Sequence, residues 1–177
     1  EFYIQLVIHY IKSKSTQEGM GKTAEEFAGK LERFNGLQPT QRFILYAYSV
    51  FALRYEVQND YRNTLQICQQ AIHLLEEKGK LVSKTNLFVF FLKAASCHVQ
   101  LGAFQEAEEA FTRCLELTEE EVHNWYVVKE TYLGSLYRSG QYQKAFEVFQ
   151  DAIHRPGFKK LSVPFVEQWS VQEAFLH

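Results

Sequence analysis

The chain of 177 residues is 46% apolar and 15% aromatic, and its formal net charge is −2 at pH 7. This composition excludes a disordered chain, and the small net charge excludes a general attraction to nucleic acid or to an anionic membrane surface. Three cysteines without metal-type or redox-type spacing predict free thiols in a reducing, cytoplasmic compartment. The missing initial Met and the apolar C-terminal end predict a piece of a longer protein, although a processed or partly disordered chain would look the same.

The first twelve residues, EFYIQLVIHYIK, predict a helix because their polar residues fall at helical spacing. The next stretch, STQEGMGKT (15–23), ends like the phosphate-binding loop GxxxxGK[ST]. However, Thr16 stands where that loop needs its first glycine, and polar residues stand where a buried strand should precede it. We therefore predict a polar inter-helix turn around Gly19 and Gly21, with Thr23 as N-cap of the next helix. A nucleotide-binding enzyme built on GMGKT is kept as an alternative.

Apolar residues continue at intervals of three and four along the rest of the chain, which predicts helices throughout. The run LFVFFL (87–92) would by itself also suit a buried strand, but Ala94, Ala95 and His98 carry the helical spacing onward. Gly, Asn and Pro divide these helices into pairs, followed by a single last helix. The predicted elements are hairpins at about 2–34, 40–78, 81–118 and 121–154, and a terminal helix at about 163–176.

Three segments repeat one pattern of small and bulky residues: NDYRNTLQICQQAI (59–72), GAFQEAEEAFTRCL (102–115) and GQYQKAFEVFQDAI (140–153). Each begins with Gly or Asn, which suits a short turn, and has an aromatic residue two positions later. Small residues then let the two helices of a hairpin approach closely, and bulky ones fill the space toward the neighbouring hairpin. These nine positions are Thr64, Cys68 and Ala71, then Ala107, Phe111 and Cys114, then Ala145, Phe149 and Ala152.

The repeated pattern resembles the second half of the tetratricopeptide repeat (TPR). This resemblance implies an all-α, right-handed α-α superhelix of about four hairpins plus a terminal helix, forming one domain over residues 1–177. The repeats start 43 and 38 residues apart, at 59, 102 and 140, whereas the family period is about 34. Longer helices or loops must therefore absorb the difference.

The resemblance also implies a non-catalytic scaffold, which binds a peptide or helix of a protein partner in a concave groove. The groove positions carried over to this sequence are Tyr46, Ser49, Leu53, Val89, Lys93, Ser96, Glu130, Tyr137 and Arg138. Lys93 and Arg138 can pair with a carboxylate, and Tyr46 and Tyr137 can stack on partner side chains. The Asn and Lys pattern that clamps a chaperone C-terminus is missing, which argues against a chaperone-tail cochaperone. We expect no metal, cofactor or nucleic acid.

Other interpretations remain open at this point. The chain could be the ligand- or peptide-sensing domain of a larger transcriptional or signalling regulator. The Cys97-His98 pair is a second candidate seat for an enzyme, although His98 fits a packed core histidine better. Glu119–Glu121 suits a solvated helix start, with an acidic docking patch as the alternative. Trp125 and Trp169 are expected to fill the core.

Overall fold

A computed structural model describes residues 16–33, 41–77 and 84–155. Within these three stretches the chain forms seven α-helices and no strand. The helices are α1 (Gln17–Glu32), α2 (Gln41–Glu56), α3 (Tyr61–Glu77), α4 (Lys84–Gln100), α5 (Phe104–Leu117), α6 (Val122–Arg138) and α7 (Tyr142–His154). The predicted helices at the N-terminus and at 163–176, like Trp169, lie outside the described residues.

Consecutive helices pack against each other as antiparallel pairs. The connectors of α2–α3, α4–α5 and α6–α7 have four, three and three residues, which is short enough to reverse the chain. The Sγ atom of Cys114, late in α5, lies 3.8 Å from the carbonyl oxygen of Phe88, early in α4. The hydroxyl of Tyr126, early in α6, donates to the carbonyl of Ala152, late in α7, at 3.0 Å. The predicted all-α class is therefore confirmed for the described residues.

The repeated small and bulky positions form the buried side of α3, α5 and α7. All nine positions are at most 1% exposed: Thr64, Cys68, Ala71, Ala107, Phe111, Cys114, Ala145, Phe149 and Ala152. The aromatic residue at the start of each repeat is less buried, since Phe104 and Tyr142 are exposed and Tyr61 is half-buried. The sequence pattern thus identifies the packed face of these helices, and its first aromatic lies at the rim.

The apolar run 87–92 is helix, as predicted, and its composition follows from the place of α4 between two cores. Phe90 and Ala94 belong to a core cluster built with α1, α2 and α3. Phe88, Ala95 and Val99 belong to a second cluster built with α5, α6 and α7. Because α4 is covered on two sides, it needs apolar residues on two faces and resembles a buried strand in sequence.

The predicted turn at Gly19 and Gly21 is wrong, because both glycines lie inside α1. Thr16, rather than Thr23, is the N-cap, since its Oγ1 accepts a hydrogen bond from the Gly19 amide at 3.1 Å. Gly21 is buried, and a Cβ atom there would lie 3.7 Å from a Cγ atom of Val57 after α2. The stretch ending in GKT is therefore a helix that packs closely on the end of α2.

Left-handed backbone occurs at the same point of all three hairpin turns. The φ angles are +58° at Asn59, +75° at Gly102 and +73° at Gly140. Glycine takes this conformation at no steric cost, and asparagine tolerates it better than most residues. The Gly or Asn that opens each repeat is thereby explained.

Gly140→Ala is expected to lower the free energy of unfolding by about 1 kcal/mol, because a Cβ atom disfavours positive φ. Gly29→Ala, at an exposed position in the last turn of α1, is the matched control. It is expected to raise stability by about 0.5–1 kcal/mol, since Ala favours helix over Gly. Urea titrations followed by circular dichroism measure both, and two shifts of the same sign would contradict this explanation of the turn.

Candidate functional site

A surface concavity of about 280 Å³ lies where α2, α4 and α6 meet. These are the first helices of three successive hairpins. The lining residues are Glu56 of α2, Phe88, Val89, Leu92, Lys93 and Ser96 of α4, and Thr131 of α6. Val89, Lys93 and Ser96 are among the groove positions predicted from the sequence, and the structure places all three on this one surface.

The concavity is apolar on most of its surface. Phe88, Val89 and Leu92 supply hydrocarbon from α4. The Ser96 hydroxyl donates to the carbonyl of Leu92 at 3.1 Å, and the Thr131 hydroxyl donates to the carbonyl of Val127 at 2.9 Å. Both hydroxyl protons are thus used within their own helices. A ligand here would meet mainly hydrocarbon, which favours an apolar group.

One ion pair forms the charged side of the concavity. The Lys93 ammonium donates to Oε2 of Glu56 and so joins α4 to α2, the first helices of neighbouring hairpins. The Glu56 side chain is 42% exposed and that of Lys93 is 24% exposed. The carboxylate is therefore the more accessible of the two charges.

The three cysteines are free and buried, as predicted. Burial raises the pKa of the Cys97 thiol to about 11, with Lys93 partly offsetting that effect. Burial likewise raises the pKa of Cys68 and of Cys114 to about 12. These thiols are protonated at neutral pH and therefore weak nucleophiles.

The other predicted groove residues lie outside this concavity. On α2, Tyr46 and Ser49 are half-buried, and the Ser49 hydroxyl donates to the Leu45 carbonyl. Leu53 is buried in the first core cluster, so its predicted place on the groove surface is wrong. The position of Leu53 had been carried over from the TPR resemblance, which in this helix does not match the face that the chain exposes.

The predicted residues of α6 are spread along that helix. Glu130 is half-buried next to Thr131, and desolvation raises the pKa of its carboxyl. Tyr137 is exposed and packs edge-on against Tyr142, with ring centroids 5.2 Å apart. Arg138 is exposed at the C-terminal end of the helix.

Sequence reasoning missed Thr131, although the repeat register contains a signal for it. Lys93 and Ser96 stand nine and six residues before Gly102. Nine and six residues before Gly140, the turn glycine of the next repeat, stand Thr131 and Gly134, not the predicted Glu130. Glu56 was missed because it reaches the concavity from a different hairpin, which no register within one repeat can indicate.

A second polar cluster holds the last described hairpin together. The Lys129 ammonium lies 2.7 Å from Oδ2 of Asp151 and 4.9 Å from the ring centroid of Trp125. Arg155 lies 4.0 Å from the same ring and donates to the carbonyl of Glu119 at 2.6 Å. Trp125 is buried, as predicted, and the cluster fixes the end of α7 against α6 and the α5–α6 connector. All of these contacts join residues of the chain itself, so the cluster is explained by its role in holding the helices together.

The two enzyme alternatives depend on Lys22 of GMGKT and on the Cys97-His98 pair. Lys22 is exposed, and its Nζ atom lies 2.6 Å from Oε1 of Glu18 in the same helix. His98 is half-buried in α4. In the described part of the chain, no three His, Cys, Asp or Glu side chains form a group that could hold a metal ion. No helix there is both long and apolar enough to cross a membrane.

Comparison of the chain with protein-family models finds no matching family, and a search of curated proteins finds no match.

Proposed function

We propose that the chain is a TPR-like helical array that acts as a non-catalytic scaffold in the cytoplasm. It binds a peptide or helix of a partner protein on the surface formed by α2, α4 and α6. The observation that carries this proposal is the apolar concavity at the meeting point of these three helices. Its α4 side includes positions for which the TPR resemblance implies partner contact.

Ion pairs between neighbouring hairpins support a stacked arrangement. Glu56 and Lys93 join two first helices, α2 and α4. Glu108 and Lys144 join two second helices, α5 and α7. First helices beside first helices, and second beside second, are what a superhelix of hairpins requires, and such a stack leaves one long surface open to a partner.

The size of the concavity favours a side chain as its occupant. Pockets that enclose small molecules usually measure about 300–1,000 Å³, so about 280 Å³ in an open surface is at the lower limit. A single large apolar side chain of a peptide or helix suits this volume. Pockets of this kind, which bury one anchor residue, contribute much of the affinity at protein interfaces.

Filling the concavity tests the proposal. Thr131→Trp places a large ring on its α6 side, and Thr112→Trp, on the exposed face of α5, is the matched control. A phage-displayed library of random peptides, selected on the wild-type protein, supplies the ligands. We expect Thr131→Trp to weaken binding of the selected peptides by more than about tenfold and Thr112→Trp to leave it unchanged.

Equal binding by the Thr131→Trp and Thr112→Trp proteins would contradict the proposed site. So would a selection that recovers no peptide specific for this chain. Circular dichroism melting of both variants shows whether either has lost its fold.

Arg138→Glu is expected to weaken binding of the selected peptides by roughly three- to tenfold, because Arg138 is exposed about two helical turns beyond Thr131 and can pair there with a carboxylate of the peptide, away from Glu56. The melting temperature should stay nearly unchanged, since the side chain is exposed. Arg62→Glu, on the exposed side of α3, is the matched control. Equal affinities of wild type and Arg138→Glu in fluorescence anisotropy would remove Arg138 from the site.

A further inference from the structure

We infer that the partner segment carries a large apolar side chain and, within about one helical turn of it, a Lys or Arg. The apolar side chain occupies the concavity and the basic residue pairs with Glu56. The segment crosses α6 at Gly134. This inference rests on the proposed function and specifies the chemistry of the partner.

The exposure of the two charged side chains in the concavity favours a basic residue on the partner. Among the described residues that line the concavity, Glu56 and Lys93 are the charged ones. Lys93 is the more covered of the two, and it already donates to Oε2 of Glu56. A carboxylate has two oxygens and about four acceptor sites, so Glu56 keeps capacity for a second cation. A guanidinium or ammonium that pairs with it forms a charge-assisted hydrogen bond.

A partner carboxylate would be disfavoured at the same place. It would have to reach the more covered Lys93 while lying next to Glu56, and like charges at short distance repel. The greater exposure of Glu56 therefore favours a basic partner over an acidic one.

Gly134 indicates where the partner backbone passes. It lies in the interior of α6, three residues from Thr131, and these two positions share a helix face. Glycine weakens a helix interior relative to alanine, yet Gly134 is exposed, and a Cβ atom there would meet no described residue within 4 Å beyond its chain neighbours and the backbone of its own helix. Packing in the described chain thus gives no reason for glycine. A bare backbone here lets another chain approach closely.

Sequencing the peptides selected on the wild-type protein tests the composition directly. We expect a fixed Leu, Ile, Met or Phe with a Lys or Arg within about four positions. Glu56→Gln should weaken these peptides about fivefold, whereas Glu120→Gln, an exposed control near the start of α6, should not. Gly134→Ala should also weaken binding about fivefold, with Gly29→Ala as its control.

Three results would overturn the inference: peptides with no basic residue, or with an acidic one in its place, within about four positions of the apolar residue; equal binding by Glu56→Gln and Glu120→Gln; or full binding by Gly134→Ala. If any of these occurs while Thr131→Trp still weakens binding by more than about tenfold, the proposed function stands and only the partner chemistry is wrong. If Thr131→Trp binds normally, the proposed function itself fails.

Discussion

Replacing Ala145 by arginine is expected to unfold the hairpin formed by α6 and α7. Ala145 is fully buried in α7 and occupies the first small position of its repeat. A longer side chain there overpacks the contact between helices and buries a charge with no partner. We expect a loss of about 4 kcal/mol or more, which is a large part of the total stability of most domains. Urea unfolding followed by circular dichroism measures it.

Gln143→Arg is the control for this substitution, because it adds the same side chain two residues away on the exposed face of α7. Its free energy of unfolding should stay within about 0.5 kcal/mol of wild type. If Ala145→Arg were tolerated equally well, the small position would not be a close contact between helices, and the explanation of the repeat would fail.

Phe111→Ala is expected to cost about 3–5 kcal/mol, because it leaves a cavity in the second core cluster. The Phe111 ring is fully buried and stacks on Tyr132, with centroids 4.9 Å apart and planes 28° apart. Removing the ring therefore also removes an aromatic contact between α5 and α6. The loss is measured as a shift of the urea midpoint at constant slope.

Phe104→Ala is the matched control, since Phe104 lies in the same helix and is 39% exposed. Its expected cost is below about 1 kcal/mol. Similar losses for Phe104→Ala and Phe111→Ala would mean that the position of a residue within the repeat does not decide how much it contributes to stability.

The sequence predicts the packed face of the repeats well, because local spacing and burial agree there. Ala107, Phe111 and Cys114 are separated by four and three residues and fall on one side of α5, where a helix must meet its neighbours. The same holds for the corresponding residues of α3 and α7. Helical periodicity is a property of the local chain, so a single sequence is enough to detect it.

The start of α1 was predicted wrongly because its neighbour is distant in sequence. Gly19 and Gly21 weaken a helix and are typical of turns. The Thr16 cap supports the helix, and the side chain of Val57 packs against Gly21. Nothing near Gly21 in the sequence indicates that contact, so propensity alone favoured a turn.

The candidate site was predictable on one helix and not across helices. Lys93 and Ser96 were found because they lie within a recognisable repeat. Thr131 was missed by one position, because the groove register of α6 follows from the turn glycine Gly140 rather than from Gly134. Glu56 joins the site only through the stacking of α2 on α4, which depends on loop lengths and packing that the sequence pattern leaves open.

The most direct test of the proposed binding surface is a crystal structure of the chain bound to one of the selected peptides. We expect density for an apolar peptide side chain between Leu92 and Thr131, with the peptide running along α2, α4 and α6. A peptide seated on α3, α5 or α7, with this concavity left open, would contradict the proposal.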